Sequence, residues 1–148
     1  MKVGIIGCGK VALAGHIPAF RKIGLNIVGV ADSDRAALKK VKVKEKYTNY
    51  NELLKRDLDI VSICTWPGTH ASITIDSVKA GVKAIYLEKP LAPTWGEAKK
   101  LVQACVHNNV MLAVSHQRRF APLFNKAKEL AHNGTIGELH RVEGYCPN

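Results

Sequence analysis

The sequence predicts an α/β fold: a doubly wound parallel sheet with helices on both of its faces. Three observations carry this. Short apolar runs, too short for helices, alternate with longer stretches of helical periodicity. The first run, Val3 to Ile6, breaks at Gly7-Cys8-Gly9 and a helical pattern follows. The polar and charged residues that stand out fall just after the runs, where open parallel sheets bind ligands.

Taken in order, the runs and their punctuation give the elements. Helix one is expected from Lys10 to Ile23, stopped by Gly24 and broken near His16, where Pro18 restarts it in a first turn. Asn26 to Ala31 reads as the second strand. Ser33 or Asp34 caps a second helix reaching about Lys46, and Asn51 caps a short helix through Lys55. Asp59 to Thr65 is a strand ended by Trp66-Pro67-Gly68, and helix four runs from Thr69 to Ala80 with Gly81 as its stop. Lys83 to Leu87 is the next strand, closed by Glu88-Lys89-Pro90. Thr94 and Glu97 form a capping box for helix five, whose apolar face is Ala98, Leu101, Val102, Cys105 and Val106. Val110 to Ser115 is a strand that runs into His116-Gln117-Arg118-Arg119. A sixth helix starts at Pro122, presents Leu123, Phe124, Ala127, Leu130 and Ala131, and ends at Gly134. The tail from Leu139 to Cys146 alternates like a half-buried strand and reads as the beginning of something else.

The 148 residues suit one domain with its own core, and 47% hydrophobic with 23% charged residues is a globular composition. No apolar run is long enough for a membrane helix, and Met1 leads directly into the first strand without a signal pattern, so a cytoplasmic location is expected. Cys8, Cys64, Cys105 and Cys146 lack metal or disulfide spacing, so no metal site is expected and the thiols read as reduced. The formal charge of +10 comes largely from Lys39, Lys40, Lys42, Lys44 and Lys46. No aromatics interleave with them, so a solvated helix face is the expectation and a nucleic-acid partner is not.

The glycine turn carries the chemistry. Gly7 permits the tight turn, Gly9 lets the backbone approach a pyrophosphate, and small Ala12 allows the helix to pack close to the strand. The first amides of the helix, around Lys10 and Val11, have no partners inside it and favour an anion. Asp32, ending the second strand, is placed to accept hydrogen bonds from an adenosine ribose. A dinucleotide site is therefore expected from Gly7, Cys8, Gly9, Lys10, Val11 and Asp32, with Thr65, Trp66, Pro67, His70 and Glu88 at the other strand ends. Bound to Asp32, NAD is expected over NADP, and Arg35 is the one residue able to soften that preference. Each strand-end residue also has a plain reading: Thr65 simply ends a strand, His70 is structural, and Glu88 partners Lys89 or contacts a second ribose. Lys89, pinned by Pro90 at the mouth of a strand, is the sharpest catalytic candidate, able to bond a substrate hydroxyl and take its proton. His116, Arg118 and Arg119 are candidates for holding an anionic or polyhydroxylated substrate.

Gly7 to Ala12, the His16-Ile17-Pro18 turn, Asp32, Thr65 to His70, Glu88-Lys89-Pro90 and His116 to Pro122 stand in an order that resembles the Gfo/Idh/MocA oxidoreductases, the glucose–fructose oxidoreductase and inositol dehydrogenase family. The resemblance implies a Rossmann-type domain with NAD on the glycines and Asp32. It also implies Lys89 beside nicotinamide and substrate, a cis Lys89–Pro90 bond, and a sugar or cyclitol substrate. The family's Thr-Pro is here Thr65-Trp66-Pro67, a departure at the cofactor loop. The resemblance further implies a second α/β domain that holds most substrate contacts and a catalytic histidine. On this reading residues 1–136 are the dinucleotide-binding domain, 137–148 are the first strand of that second domain, and the catalytic histidine lies outside these residues. The missing domain or self-association is the expected partner. A non-catalytic dinucleotide-binding module, a sensor or a subunit completing another chain, is the alternative.

Overall fold

A computed structural model describes residues 1–145, which divide into two compact units, residues 1–115 and a second beginning at His116. The first unit is a six-stranded sheet in the order β3-β2-β1-β4-β5-β6, every pairing parallel. The strands are β1 (Lys2–Ile6), β2 (Asn26–Ala31), β3 (Glu45–Tyr47), β4 (Ile60–Ile63), β5 (Ala84–Leu87) and β6 (Met111–Val114). This is the Rossmann arrangement, in which the order reverses beside β1 and leaves a crevice at the carboxyl ends of β1 and β4.

The pleat sends alternate side chains to opposite faces, which makes two cores. Val3, Ile5 and Val30 pack with Ala12, Ile17, Phe20 and Leu38 under the first two helices. Ile6, Ala31, Val61, Ile63, Ile85 and Leu87 pack with Leu53, Ile73, Val78, Leu101 and Cys105 on the other face. Gly4 is part of this second contact: a Cβ there would lie 2.6 Å from Leu58 Cδ1.

The first helix begins at Lys10, passes through a π turn over Ala12–His16, and continues as α1 (Ile17–Lys22). Pro18 has no N–H to return to the preceding turn, so the expected break takes the form of a widened turn, with Ile17 N–H donating to Ala12 O. The widening leaves both Ala12 and His16 buried.

Asp34 caps α2 (Arg35–Lys39), accepting from Ala36 N–H. That helix is much shorter than expected, because the Lys-Val alternation that follows leads into β3 instead. Lys39 ends α2, and the other lysines occupy a turn, a loop and, at Lys46, the edge strand, where a lysine opposes pairing with another chain. Asn49, not Asn51, caps α3 (Tyr50–Leu54): its side chain accepts from Asn51 N–H.

A single 3₁₀ turn (Pro67–Thr69) precedes α4 (His70–Lys79). Thr94 caps α5 (Trp95–His107), as expected, accepting from Glu97 N–H at 3.3 Å. The packed face of α5 is narrower than expected, since Leu101 and Cys105 are buried while Val102 and Val106 are exposed. The Lys89–Pro90 bond is cis.

The second unit holds a 3₁₀ turn (Gln117–Phe120) and α6 (Pro122–His132). None of the α6 side chains is buried, and Leu123 is 85% exposed, so its apolar face is unpacked among the described residues. Residues 139–145 form no strand; among the described residues nothing pairs with them, and a lone strand has no ladder to hold it. Cys146, the end of the expected tail strand, lies outside the described residues.

Candidate functional site

Because all six strands are parallel, the ends of β1, β2, β4 and β5 share one edge of the sheet. At that edge a cleft of about 750 Å³ opens between the glycine turn, the end of β2 and the loop after β4. Gly7, Gly9, Lys10, Val11, Asp32, Thr65 and Trp66 line it, as does Thr69. The volume is in the range of cofactor pockets, roughly 300–1,000 Å³.

Gly7 has φ +93°, and a Cβ on it would stand 2.6 Å from the Cys64 carbonyl oxygen. The turn is therefore closed against the loop after β4, and only glycine fits. Gly9 is different. A Cβ there would meet nothing within 4 Å, because the position faces open space on the cleft side. Among the described residues no contact requires Gly9 to be glycine, and a glycine there leaves room for a pyrophosphate to approach the helix amides.

Asp32 braces this turn. Its Oδ2 accepts from Cys8 N–H at 2.7 Å and its Oδ1 from Asp34 N–H at 2.8 Å. Each carboxylate oxygen keeps further lone pairs for a ribose hydroxyl. The Cys8 thiol is turned away from the cleft into the core, and burial first, with Asp32 second, pushes its pKa up to about 12. Its backbone N–H is given to Asp32. Cys64 is likewise pushed up to about 12, chiefly by burial, so neither thiol is a nucleophile.

Thr65 accepts from Thr69 Oγ1 at 2.8 Å, which stabilises the loop after β4. Trp66 is 84% exposed at this cleft, a large apolar surface left open to water. Thr69, Tyr50, Ser72 and Ile73 also line the cleft and were not anticipated. Tyr50 is held by a bond to Asp76 Oδ2 at 2.9 Å, a pairing of α3 with α4 that local sequence does not reveal.

Pro67, His70, Glu88 and Lys89 do not line the cleft. His70 is fully buried between two loops, its Nδ1 2.9 Å from Pro90 O and its Nε2 3.1 Å from Thr65 O; both oxygens are acceptors, so a ring with one N–H donates to one of them. Glu88 is buried too and occupied: Oε1 lies 2.8 Å from His16 Nε2, and Oε2 accepts from Lys89 N–H at 3.2 Å. Both side chains are engaged inside the protein. Burial raises the Glu88 pKa, but hydrogen bonds from His16, Ser115 and Lys89 N–H outweigh it and hold the carboxyl below its ordinary value. Lys89 itself is exposed at the carboxyl end of β5. His116, Arg118 and Arg119 follow β6 directly in the chain and belong to the second unit, all three exposed.

His16 is the residue that the sequence reading left without a role. Its Nδ1 lies 2.7 Å from Ser62 Oγ while its Nε2 meets Glu88. Ser62, His16 and Glu88 resemble the parts of a nucleophilic triad, but Ser62 is 0% exposed, so no substrate reaches it. The ring stacks at 4.9 Å on Tyr86, whose hydroxyl donates to Ser115 Oγ at 3.2 Å.

A doubly wound sheet with a glycine turn, an acidic residue ending β2 and a cleft at the order reversal defines a dinucleotide-binding domain. Residues 1–116 match the model of the Gfo/Idh/MocA oxidoreductases, described as an oxidoreductase family with an NAD-binding Rossmann fold. The chain belongs to that family. An oxidoreductase of Formosa agariphila is 36% identical over 95% of this chain and 45% of its own length. Myo-inositol 2-dehydrogenase of Thermotoga maritima is 30% identical over 95% of this chain and 43% of its own. An oxidoreductase from Agrobacterium radiobacter, solved with NAD⁺, L-tartaric acid and magnesium, superimposes with a TM-score of 0.85 at 25% identity, covering 93% of this chain and 42% of that one. The chain thus spans less than half the length of these relatives.

Proposed function

We propose that this chain is the cofactor half of an NAD-dependent dehydrogenase acting on a hydroxyl-bearing carbon of a sugar or cyclitol. The observation that carries the reading is Gly9, a glycine with nothing of its own chain in front of it, opening on a cleft whose other wall bears Asp32. The amides from Gly9 to Val11 would hold the pyrophosphate, and Asp32 would accept from the adenosine ribose hydroxyls. Trp66 and Thr65 close the cleft on the β4 side. The inositol dehydrogenase relative supports the choice of a polyol substrate.

NAD, when bound, supplies the hydride acceptor. The Lys89 side-chain nitrogen accepts the hydrogen bond of the substrate hydroxyl and receives its proton as the hydride leaves, a contribution of about 10²–10⁴-fold in rate. His116, Arg118 and Arg119 hold the other substrate oxygens. A second domain, begun after residue 136, encloses the substrate, and the protein works in the cytoplasm, where the thiols of Cys8, Cys64 and Cys105 stay free.

Titration calorimetry with both reduced cofactors tests the assignment of Asp32. NADH is expected to bind at least about tenfold more tightly than NADPH, because the carboxylate repels a 2′-phosphate. Tighter NADPH binding would remove Asp32 from its role.

A further inference from the structure

Lys89 is exposed, yet the residues on either side of it are held from opposite faces of the sheet by two buried histidines. On the α1 side, His16 meets Glu88 Oε1 at 2.8 Å, and the other oxygen of Glu88 accepts the Lys89 N–H at 3.2 Å. With the proton on Nε2, the ring donates to Glu88 and accepts from Ser62 Oγ, so every polar atom of the chain of bonds is used. On the α4 side, His70 meets the carbonyl of Pro90, the residue after Lys89, at 2.9 Å. Its second nitrogen meets the carbonyl of Thr65, in the loop that lines the cleft, at 3.1 Å.

Each imidazole therefore joins the Lys89 segment to a wall of the cleft. His16 belongs to the helix that starts at the glycine turn, and His70 begins the helix that follows the Thr65 loop. Burying an imidazole is unfavourable unless its nitrogens are paired, and a core that needed only volume is served better by Leu or Phe. Here His16 has an acceptor and a donor for its two nitrogens, while His70 lies between two carbonyl oxygens and donates its N–H to one of them; one partner of each ring, Glu88 or Pro90, flanks Lys89.

We propose that His16 and His70 are positioning residues that clamp Lys89 from both sides and fix its distance from the cofactor cleft. His16 acts through Glu88 and His70 through Pro90. This rests on the reading of Lys89 as the group that meets the substrate hydroxyl. Chemistry of that kind is sensitive to placement, and an error of about 1 Å costs on the order of 10²-fold. Neither histidine lines the cleft, and His70 reaches it only at the Thr65 carbonyl.

The test uses the full-length protein for kinetics and this chain, ¹⁵N-labelled, for amide exchange at Lys89. His16→Leu and His70→Leu are expected to lower kcat by about 10- to 100-fold, to keep the NADH Kd within about threefold, and to speed Lys89 amide exchange by at least tenfold. His16→Gln, which retains a donor toward Glu88, is expected to recover kcat to within about fivefold. Should the Leu variants not fold, His16→Phe and His70→Phe, which fill the space without a donor, carry the same readouts. Unchanged Lys89 exchange with unchanged kcat overturns the clamp, and so does a fall in NADH affinity as large as the fall in kcat, which marks a merely structural role. Lys89→Met separates the two readings: unaltered turnover there overturns the role of Lys89 itself, while the exchange data still decide whether the histidines hold its segment.

Discussion

Gly7 and Gly9 stand two residues apart and are glycine for different reasons. Gly7 is fixed by the fold, through its positive φ and the Cys64 carbonyl 2.6 Å from any Cβ. Gly7→Ala is expected to cost about 2 kcal/mol or more of stability in urea unfolding. Gly9 is fixed by what the cleft receives. Gly9→Val is expected to change stability by no more than about 0.5 kcal/mol while removing NADH binding, since the added side chain stands where the pyrophosphate must come. Native-like circular dichroism with normal NADH binding would reduce the loop to a turn. Glu88 gives a second test at this scale. Its folded pKa is depressed below the ordinary 4.5, so the stability it contributes is present above that value and lost as pH falls through the folded pKa. Between about pH 6 and about pH 3 the urea midpoint of the wild type should fall more steeply than that of Glu88→Gln; equal slopes would mean that Glu88 is not held in its ionised form.

At the scale of elements, ends decided more than interiors. Thr94 begins α5, accepting from Glu97 N–H and donating its hydroxyl to Glu97 Oε2 at 2.8 Å. Thr94→Ala is expected to cost about 1 kcal/mol, read as a lower denaturation midpoint with NADH affinity unchanged. A cost near zero would show that packing of Leu101 and Cys105 alone holds the helix. The π turn over Ala12–His16 belongs to this scale as well. Pro18 imposes it, and its consequence is chemical, because a buried His16 reaches β4 and β5 at once.

For the molecule as a whole, the question is how much of a dehydrogenase these residues make. Leu123 and Phe124 of α6 are exposed, and the chain spans less than half the length of the relatives it matches. This chain alone is expected to bind NADH but to oxidise no sugar or inositol at a useful rate, because enclosing and orienting the substrate supplies roughly 7–11 kcal/mol of the barrier reduction. NADH formation across a panel of polyols measures it. Robust turnover would mean that Lys89, His116 and the arginines suffice; in the completed protein, Lys89→Met should lower kcat and spare NADH affinity.

The sequence by itself determined the parallel α/β class, the glycine turn, Asp32, the Thr94 cap and the edge of the sheet where the site lies. Those features are written in contiguous residues, as period, punctuation and the end of each apolar run. It did not reveal β3, because a three-residue strand with lysine neighbours exists only by pairing with β2. Nor did it show that the Glu88 side chain is buried. Only the tertiary structure brought His16 to Glu88, 72 positions along the chain, and His70 to Pro90. A buried polar group must find a partner wherever the fold supplies one, and no local pattern records where that is.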